Sequence, residues 1–96
     1  MARPKKLGAA EVGERLGRLP GWSLDGGKLH RAFRFADFSA AFGFMTRAAL
    51  AAETLNHHPE WSNVYDRVSV HLTTHDAGGL TELDFALAAK MDEIAG

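Results

Sequence analysis

The sequence predicts an α+β fold in which helices pack on a four-stranded antiparallel sheet, with elements ordered α-β-β-α-β-β-α. Three observations lead there. Two pairs of strand-forming runs are each folded back on themselves, one around Asp25-Gly26-Gly27 and one around Asp66-Arg67. A long stretch after Asp37 repeats apolar residues at three- and four-residue steps, as a helix requires. No linker, internal repeat or low-complexity segment interrupts the 96 residues, so 1–96 read as one domain, with the basic residues 1–6 as a flexible tail.

The first helix is short. Val12 and Leu16 stand four apart within residues 9–18, Leu19 follows three further on, and Pro20-Gly21 stops the pattern. Trp22, Leu24 and the run from Leu29 to Phe35 form the first hairpin around two glycines, which supply the positive φ a tight turn demands. Asp37 is placed to cap the central helix, whose stripe Phe38, Phe42, Met45, Ala49 and Ala52 is expected to face the core. Phe44 and Leu50 lie on the opposite side, an apolar excess that either broadens the core face or meets another subunit. The helix must end before Pro59, whose ring disfavours helical geometry at His58 and removes a backbone donor. Trp61 to Tyr65 and Val68 to Thr74 form the second hairpin, with Val68, Val70 and Leu72 on one face and Ser69, His71 and Thr73 on the other. Beyond Asp76-Ala77-Gly78-Gly79, the run Thr81-Glu82-Leu83-Asp84 has the spacing of a capping box and opens a helix along Leu83, Leu87, Met91 and Ile94.

Composition removes several function classes. Eleven Lys and Arg balance twelve Asp and Glu for a net charge of -1, and only the first six residues are locally basic, so no nucleic-acid partner is expected. Cysteine is absent, which excludes disulfides, thiolate nucleophiles and thiolate metal sites. The N-terminus lacks a signal-peptide pattern and no window approaches the ~18 apolar residues of a membrane span, so a cytoplasmic location with no membrane partner is expected. No glycine-rich phosphate loop or nucleophile elbow is present either. A domain this small buries a modest fraction of its surface, and self-association is the expected way to add to it.

The histidines are the residues with chemistry to offer. His57 and His58 fall between a helix end and Pro59, and His75 falls at a strand terminus beside a glycine pair. Spacing leaves two readings open. In one, His57 is a cationic residue favoured at a helix C-terminus by up to ~1 kcal/mol and His58 is a surface residue. In the other they belong to a site, with Glu53 one turn before His57 and able to orient a histidine or raise its pKa, although Glu53 reads equally as a solvated surface glutamate. Zinc is disfavoured, because His71 and His75 on a strand lie roughly 13 Å apart, too far to share one ion. Adjacent histidines rarely aim both rings at one metal, so no metal or other cofactor is expected. His30 and His71 read as sheet residues outside the site. Thr81 and Asp84 are explained as a helix cap, and Trp61 and Phe35 as core aromatics, although Trp61 could also wall a pocket for a flat heterocycle.

The stretch from Glu53 through Asn56-His57-His58-Pro59-Glu60-Trp61 to Tyr65, then Val68 to Leu72 and Thr73-Thr74-His75-Asp76, strongly resembles the pterin-4a-carbinolamine dehydratases. Phe33-Arg34-Phe35-Ala36-Asp37-Phe38 and the run from Ala41 to Ala48 look like the same family, so the resemblance extends from about Leu7 to Ile94. It implies helices on one face of the sheet and a homodimer or homotetramer. It implies as substrate a 4a-hydroxytetrahydropterin, which loses water to give the quinonoid dihydropterin during tetrahydrobiopterin recycling. By the same carry-over, His57, His58 and His75 match catalytic positions. Asn56, Thr73, Thr74 and Asp76 match pterin-contacting positions, and Glu53, Trp61 and Asp84 match supporting positions of the substrate pocket. Asn56 stands where the family often has Asp, Ser62 where it often has Phe, and His71 where it often has Thr.

Dehydration across C4a and N5 needs a proton delivered to the leaving hydroxyl and another taken from N5, and imidazoles near pKa ~6.5 do both at neutral pH. The sequence reading assigns the proton exchange to His57 and His75, pterin binding to His58 and the Thr73 to Asp76 loop, and ring orientation to Glu53. The competing class implied by the same resemblance is a non-catalytic dimerization or assembly module. The intact set of three histidines favours catalysis.

Overall fold

The computed structural model describes residues 4–96. Eight elements follow one another: α1 (Ala9–Leu16), β1 (Ser23–Asp25), β2 (Lys28–Arg34), α2 (Phe38–Leu55), β3 (Glu60–Val64), β4 (Arg67–Leu72), a 3₁₀ turn (His75–Ala77) and α3 (Glu82–Ala95). The strands form one antiparallel sheet in the order β1-β2-β4-β3, and the predicted α-β-β-α-β-β-α order holds. Register pairs Leu29 with Leu72, Arg31 with Val70 and Phe33 with Val68 across β2 and β4, and Trp61 with Val70 across β3 and β4. Those residues share the face that the three helices cover. Lys28, His30, Ser69, His71 and Glu60 share the other face, which no helix covers.

Local chemistry explains the boundaries. Asp37 caps α2 by accepting from the Ala40 backbone N–H at 2.8 Å. The helix stops at Leu55 because Asn56 turns left-handed at φ 50 and ψ 43, a conformation asparagine tolerates better than most residues, so the stop comes three residues before Pro59. The turn of the second hairpin falls on Tyr65 and Asp66, one residue earlier than the sequence reading placed it. Tyr65 adopts φ 50 there, and Asn63 holds the bend by donating its amide to the carbonyls of Tyr65 and Arg67 at 3.1 and 2.8 Å. Strand β4 ends at Leu72 rather than Thr74, and Thr74 makes only an isolated bridge to Gly79. Of the expected tail, residues 1–3 lie outside the described residues, and Lys6 lays its side chain across Gly79, where a Cβ would come within 2.8 Å of the lysine Cε.

The core corrects the expected orientation of α2. Ala41, Phe44, Ala48 and Ala52 are buried, whereas Phe38 and Phe42 from the predicted stripe are 50% and 56% exposed and Ala49 is exposed as well. Close approach decides the matter. Three alanines let the helix backbone settle near the sheet, and the one large residue among them, Phe44, packs on Phe33 and Phe35 with ring centroids 4.7 and 5.0 Å away. Fully burying a Phe side chain contributes ~1.5–3 kcal/mol, and the alanines turn that contribution inward where the predicted stripe would have held the helix off. Leu29, Phe33, Val68, Val70, Leu72, Leu87 and Met91 complete the core. Val12, Leu16 and Leu19 attach α1 to it.

At the C-terminal end of α3, Asp92 accepts from the Trp22 indole at 2.8 Å and from the Arg31 guanidinium, tying the helix to β2. The N-terminal end of α3, ten residues or ~15 Å away along the helix, is left to build the candidate site. No helix among the described residues is long and apolar enough to cross a membrane.

Candidate active site

Two connections meet at one end of the sheet. The first runs from α2 to β3 and carries Asn56, His57, His58 and Pro59; the second runs from β4 to α3 and carries Thr73 to Thr81. The left-handed turn at Asn56 bends the chain back so that the His57 N–H reaches the Ala52 carbonyl at 3.0 Å. His57 is then buried, only 8% exposed, while His58 lies at the surface.

Asp84 joins the two connections. It is the N3 residue of α3 and is fully buried. Its Oδ2 accepts from the Thr81 N–H at 2.9 Å and the Thr74 hydroxyl at 2.8 Å, and its Oδ1 accepts from His57 Nε2 at 2.6 Å. The Thr81 hydroxyl lies 2.8 Å from that of Thr74 and accepts from the Leu83 N–H at 3.2 Å. A buried carboxylate is costly unless its lone pairs are used, and these three donors, with the positive end of the α3 dipole, satisfy it. The helix-cap reading of Thr81 and Asp84 and the site reading therefore describe the same atoms. Asp84 is fully buried, so it does not open onto a ligand, and His57 is the candidate histidine it contacts.

The other two candidate histidines are held in the same way. His58 Nε2 donates to Glu53 Oε1 at 2.8 Å, so the ring Glu53 holds is that of His58 and not that of His57 one turn away. The left-handed turn carries His57 away from Glu53 and toward α3. His75 Nε2 donates to Glu60 Oε2 at 2.9 Å. All three imidazoles thus use Nε2 on a carboxylate, and in the neutral ring this leaves Nδ1 as the lone-pair nitrogen. None of the three Nδ1 atoms has a partner among the described residues. No buried side-chain nitrogen or oxygen there lacks one, so Nδ1 of His57 reaches solvent although its ring is nearly covered.

The remaining predicted residues divide by burial. Thr74 is buried and its hydroxyl is committed to Asp84, whereas Thr73 is half-buried and Asp76 exposed in the 3₁₀ turn. Asn56 is exposed at the helix end. Trp61 lies half-buried on the inner sheet face against the core, the placement expected of a core aromatic. Glu60 was not singled out in the sequence, since nothing in its spacing distinguishes it from a surface glutamate. Its carboxyl is held below the ordinary 4.5 first by the hydrogen bond from Lys28, at 2.6 Å, and then by His75. Among the described residues no cluster of three or more histidine and carboxylate side chains converges as metal ligands do.

A concavity of about 430 Å³ lies between α1 and α3 against Leu19, Phe85, Ala86 and Ala89. It contains none of the histidines, and its arginines, Arg15 and Arg18, are already paired with Glu82 and Glu14.

The fold is thus an open-faced antiparallel α+β sheet with three imidazoles, each hydrogen-bonded to a carboxylate, at one end of it. Residues 5–94 match the pterin 4 alpha carbinolamine dehydratase family. A protein of Sinorhizobium medicae provisionally named as a pterin-4-alpha-carbinolamine dehydratase is 63% identical over 95 residues, covering 97% of this chain and 90% of the relative. A similarly named protein of Solibacter usitatus is 58% identical over 90 residues, covering 94% and 95%. A crystal structure from Brucella melitensis described as a transcriptional coactivator/pterin dehydratase superposes with a TM-score of 0.92 at 53% identity, covering 96% of this chain and all of that one. The chain belongs to the pterin-4a-carbinolamine dehydratase family.

Proposed function

We propose that the protein is a hydro-lyase that dehydrates a 4a-hydroxytetrahydropterin to the quinonoid dihydropterin, with His57, His58 and His75 as its catalytic residues. The observation that carries the proposal is the common arrangement of the three imidazoles, each anchored through Nε2 on a carboxylate with Nδ1 left open. Family membership supplies the substrate class.

The reaction is redox-neutral. The C4a–O bond breaks as the hydroxyl takes a proton and leaves as water, the N5–H bond gives up its proton, and its electron pair forms the C4a=N5 double bond. One imidazolium and one neutral imidazole complete the exchange, and the proton balance is restored when they trade states. His57, held rigidly by Asp84, and His75, held by Glu60, take these two roles in the proposal. His58, Asn56, Thr73 and Asp76 line the approach and orient the ring system, while Thr74 supports His57 through Asp84. General acid-base help of this kind is worth about 10² to 10⁴ in rate.

Purified wild-type protein should accelerate the dehydration of a 4a-hydroxytetrahydropterin, and His57→Ala and His75→Ala should each lower turnover at least about tenfold with circular dichroism unchanged. Wild-type turnover in both variants would overturn the assignment.

Self-association as a homodimer or homotetramer belongs to the same proposal. The outer side of α2, with Phe38, Phe42 and Leu50 exposed, favours it. The same surface supports a second reading, a partner-binding module without turnover, which would show itself as histidine variants that bind partners as the wild type does and a wild type that does not dehydrate pterin.

A further inference from the structure

The sheet register places Glu60 in a polar row that no helix covers. Ser23, His30, His71 and Glu60 are successive cross-strand partners on β1, β2, β4 and β3, and Lys28 stands two residues from His30 on the same face of β2. Within that row His30 and His71 stack with ring centroids 4.3 Å apart, and His71 Nε2 is bonded to Asp25 at 2.8 Å. Stacking and pairing occupy these neighbours, so the Glu60 carboxylate turns to Lys28 and His75. Oε1 accepts from Lys28 Nζ at 2.6 Å and Oε2 from His75 Nε2 at 2.9 Å. Lys28 reaches Glu60 past the intervening strand β4, which lies between β2 and β3 in the sheet.

His75 needs such a fixture. It opens the 3₁₀ turn after β4, and its side chain is 76% exposed. His57, by contrast, is immobilised by burial and by Asp84. An exposed imidazole samples several rotamers and both tautomers, and holding a long exposed side chain in one geometry costs entropy that a single surface ion pair offsets poorly. A carboxylate already fixed by a lysine reduces that loss, since only the imidazole remains to be ordered. The retained charge on Glu60 agrees with this, its carboxyl lying below the ordinary value through Lys28 first and His75 second.

We propose that Lys28 and Glu60 form a positioning pair for His75: the lysine fixes the carboxylate, and the carboxylate fixes the ring as the Nε2–H tautomer with Nδ1 toward the substrate. The role rests on the dehydratase reading for its kinetic consequence but not for its structural one. Glu60 touches no substrate and acts only through His75.

Two measurements on the full-length protein test it separately. By ¹⁵N NMR of the imidazoles near neutral pH, wild-type His75 is expected as the Nε2–H tautomer, and Glu60→Gln and Lys28→Met are expected to mix the tautomers, Glu60→Gln the more. Unchanged His75 signals in both variants would overturn the positioning pair whatever the enzyme does. In the dehydration assay, Glu60→Gln is expected to lower kcat about tenfold with KM within about twofold, and to cost nothing further in the His75→Ala background. An equal loss in both backgrounds would overturn the proposal, because Glu60 would then act independently of His75. A wild type without dehydration activity would sink the dehydratase reading while leaving the tautomer result to decide the pair.

Discussion

Asp84 concentrates more of this protein's design than any other side chain. Its carboxylate closes the capping box of α3, receives the Thr74 hydroxyl and holds His57, all without contact with solvent. Asp84→Ala would leave these donors without their acceptor in the interior, a loss of about 3–5 kcal/mol, and would confuse a site effect with a folding effect. Asp84→Asn is the sharper substitution. The amide can still accept from Thr81 and Thr74, but its NH₂ turned toward His57 would force the imidazole to accept at Nε2 and move its proton to Nδ1. Turnover should then fall by about 10² to 10⁴ while the urea midpoint reports a loss of only about 1–2 kcal/mol. Unaltered turnover in a folded Asp84→Asn protein would show that the His57 tautomer is irrelevant to the reaction.

Among the elements, α2 carries two tasks on two faces. Its inner face of alanines and Phe44 sets the spacing to the sheet, and its C-terminal turn at Asn56 separates His57 from His58, one inward and one outward. Its outer face leaves Phe38 and Phe42 in ring contact, centroids 5.7 Å apart and each residue half or more exposed, with Leu50 at 67%. Light scattering of the wild type should give the mass of a dimer or tetramer under the self-association proposal. Phe42→Ser should lower that mass, or raise its concentration dependence, with little change in helix content. A monomeric wild type at micromolar concentration would dispose of the idea. The inward alanines also show why only Met45 and Ala52 of the predicted stripe meet the core. Periodicity identified a helix with apolar residues nearly all round, but two stripes satisfy that periodicity, and only contact with Phe33 and Phe35 selects between them.

Across the whole molecule, the open sheet face is a charge-balanced surface rather than a second core. Asp25 is held below its ordinary 3.8 chiefly by the hydrogen bond from His71, and Glu60 below 4.5 chiefly by Lys28. A carboxylate whose folded value is lowered contributes stability in full above its unfolded value and loses it as pH falls through the folded value. The urea midpoint of the wild type should accordingly start to drop as pH falls to the ordinary carboxylate values, 4.5 for Glu60 and 3.8 for Asp25, and go on dropping below them. An Asp25→Asn, Glu60→Gln double variant should drop less, and parallel curves would show that the two carboxylates add nothing to acid sensitivity. Both are exposed, so the difference is expected to be small.

The number and order of α-helices and strands, though not the 3₁₀ turn at His75–Ala77, and with them the glycine turn of the first hairpin, the Asp37 cap and the Thr81 capping box, were legible in the sequence. Each depends on residues within a few positions of one another, where periodicity and backbone preference act directly. The three histidines were legible as candidates from their places at element ends, and the family motif marked them further. Their partners were not, except where nearness in sequence suggested Glu53 as a carboxylate for one of the rings without fixing which. Whether His57 meets Glu53 or Asp84, 27 residues away, depends on how α3 docks against the end of α2. Whether Glu60 meets Lys28 and His75 depends on strand order and register. The sequence by itself determined which groups were available for proton chemistry and where the chain would turn. Only the tertiary structure decided which face of α2 turns inward and which carboxylate anchors which imidazole, because those choices rest on packing distances between elements that no local pattern encodes.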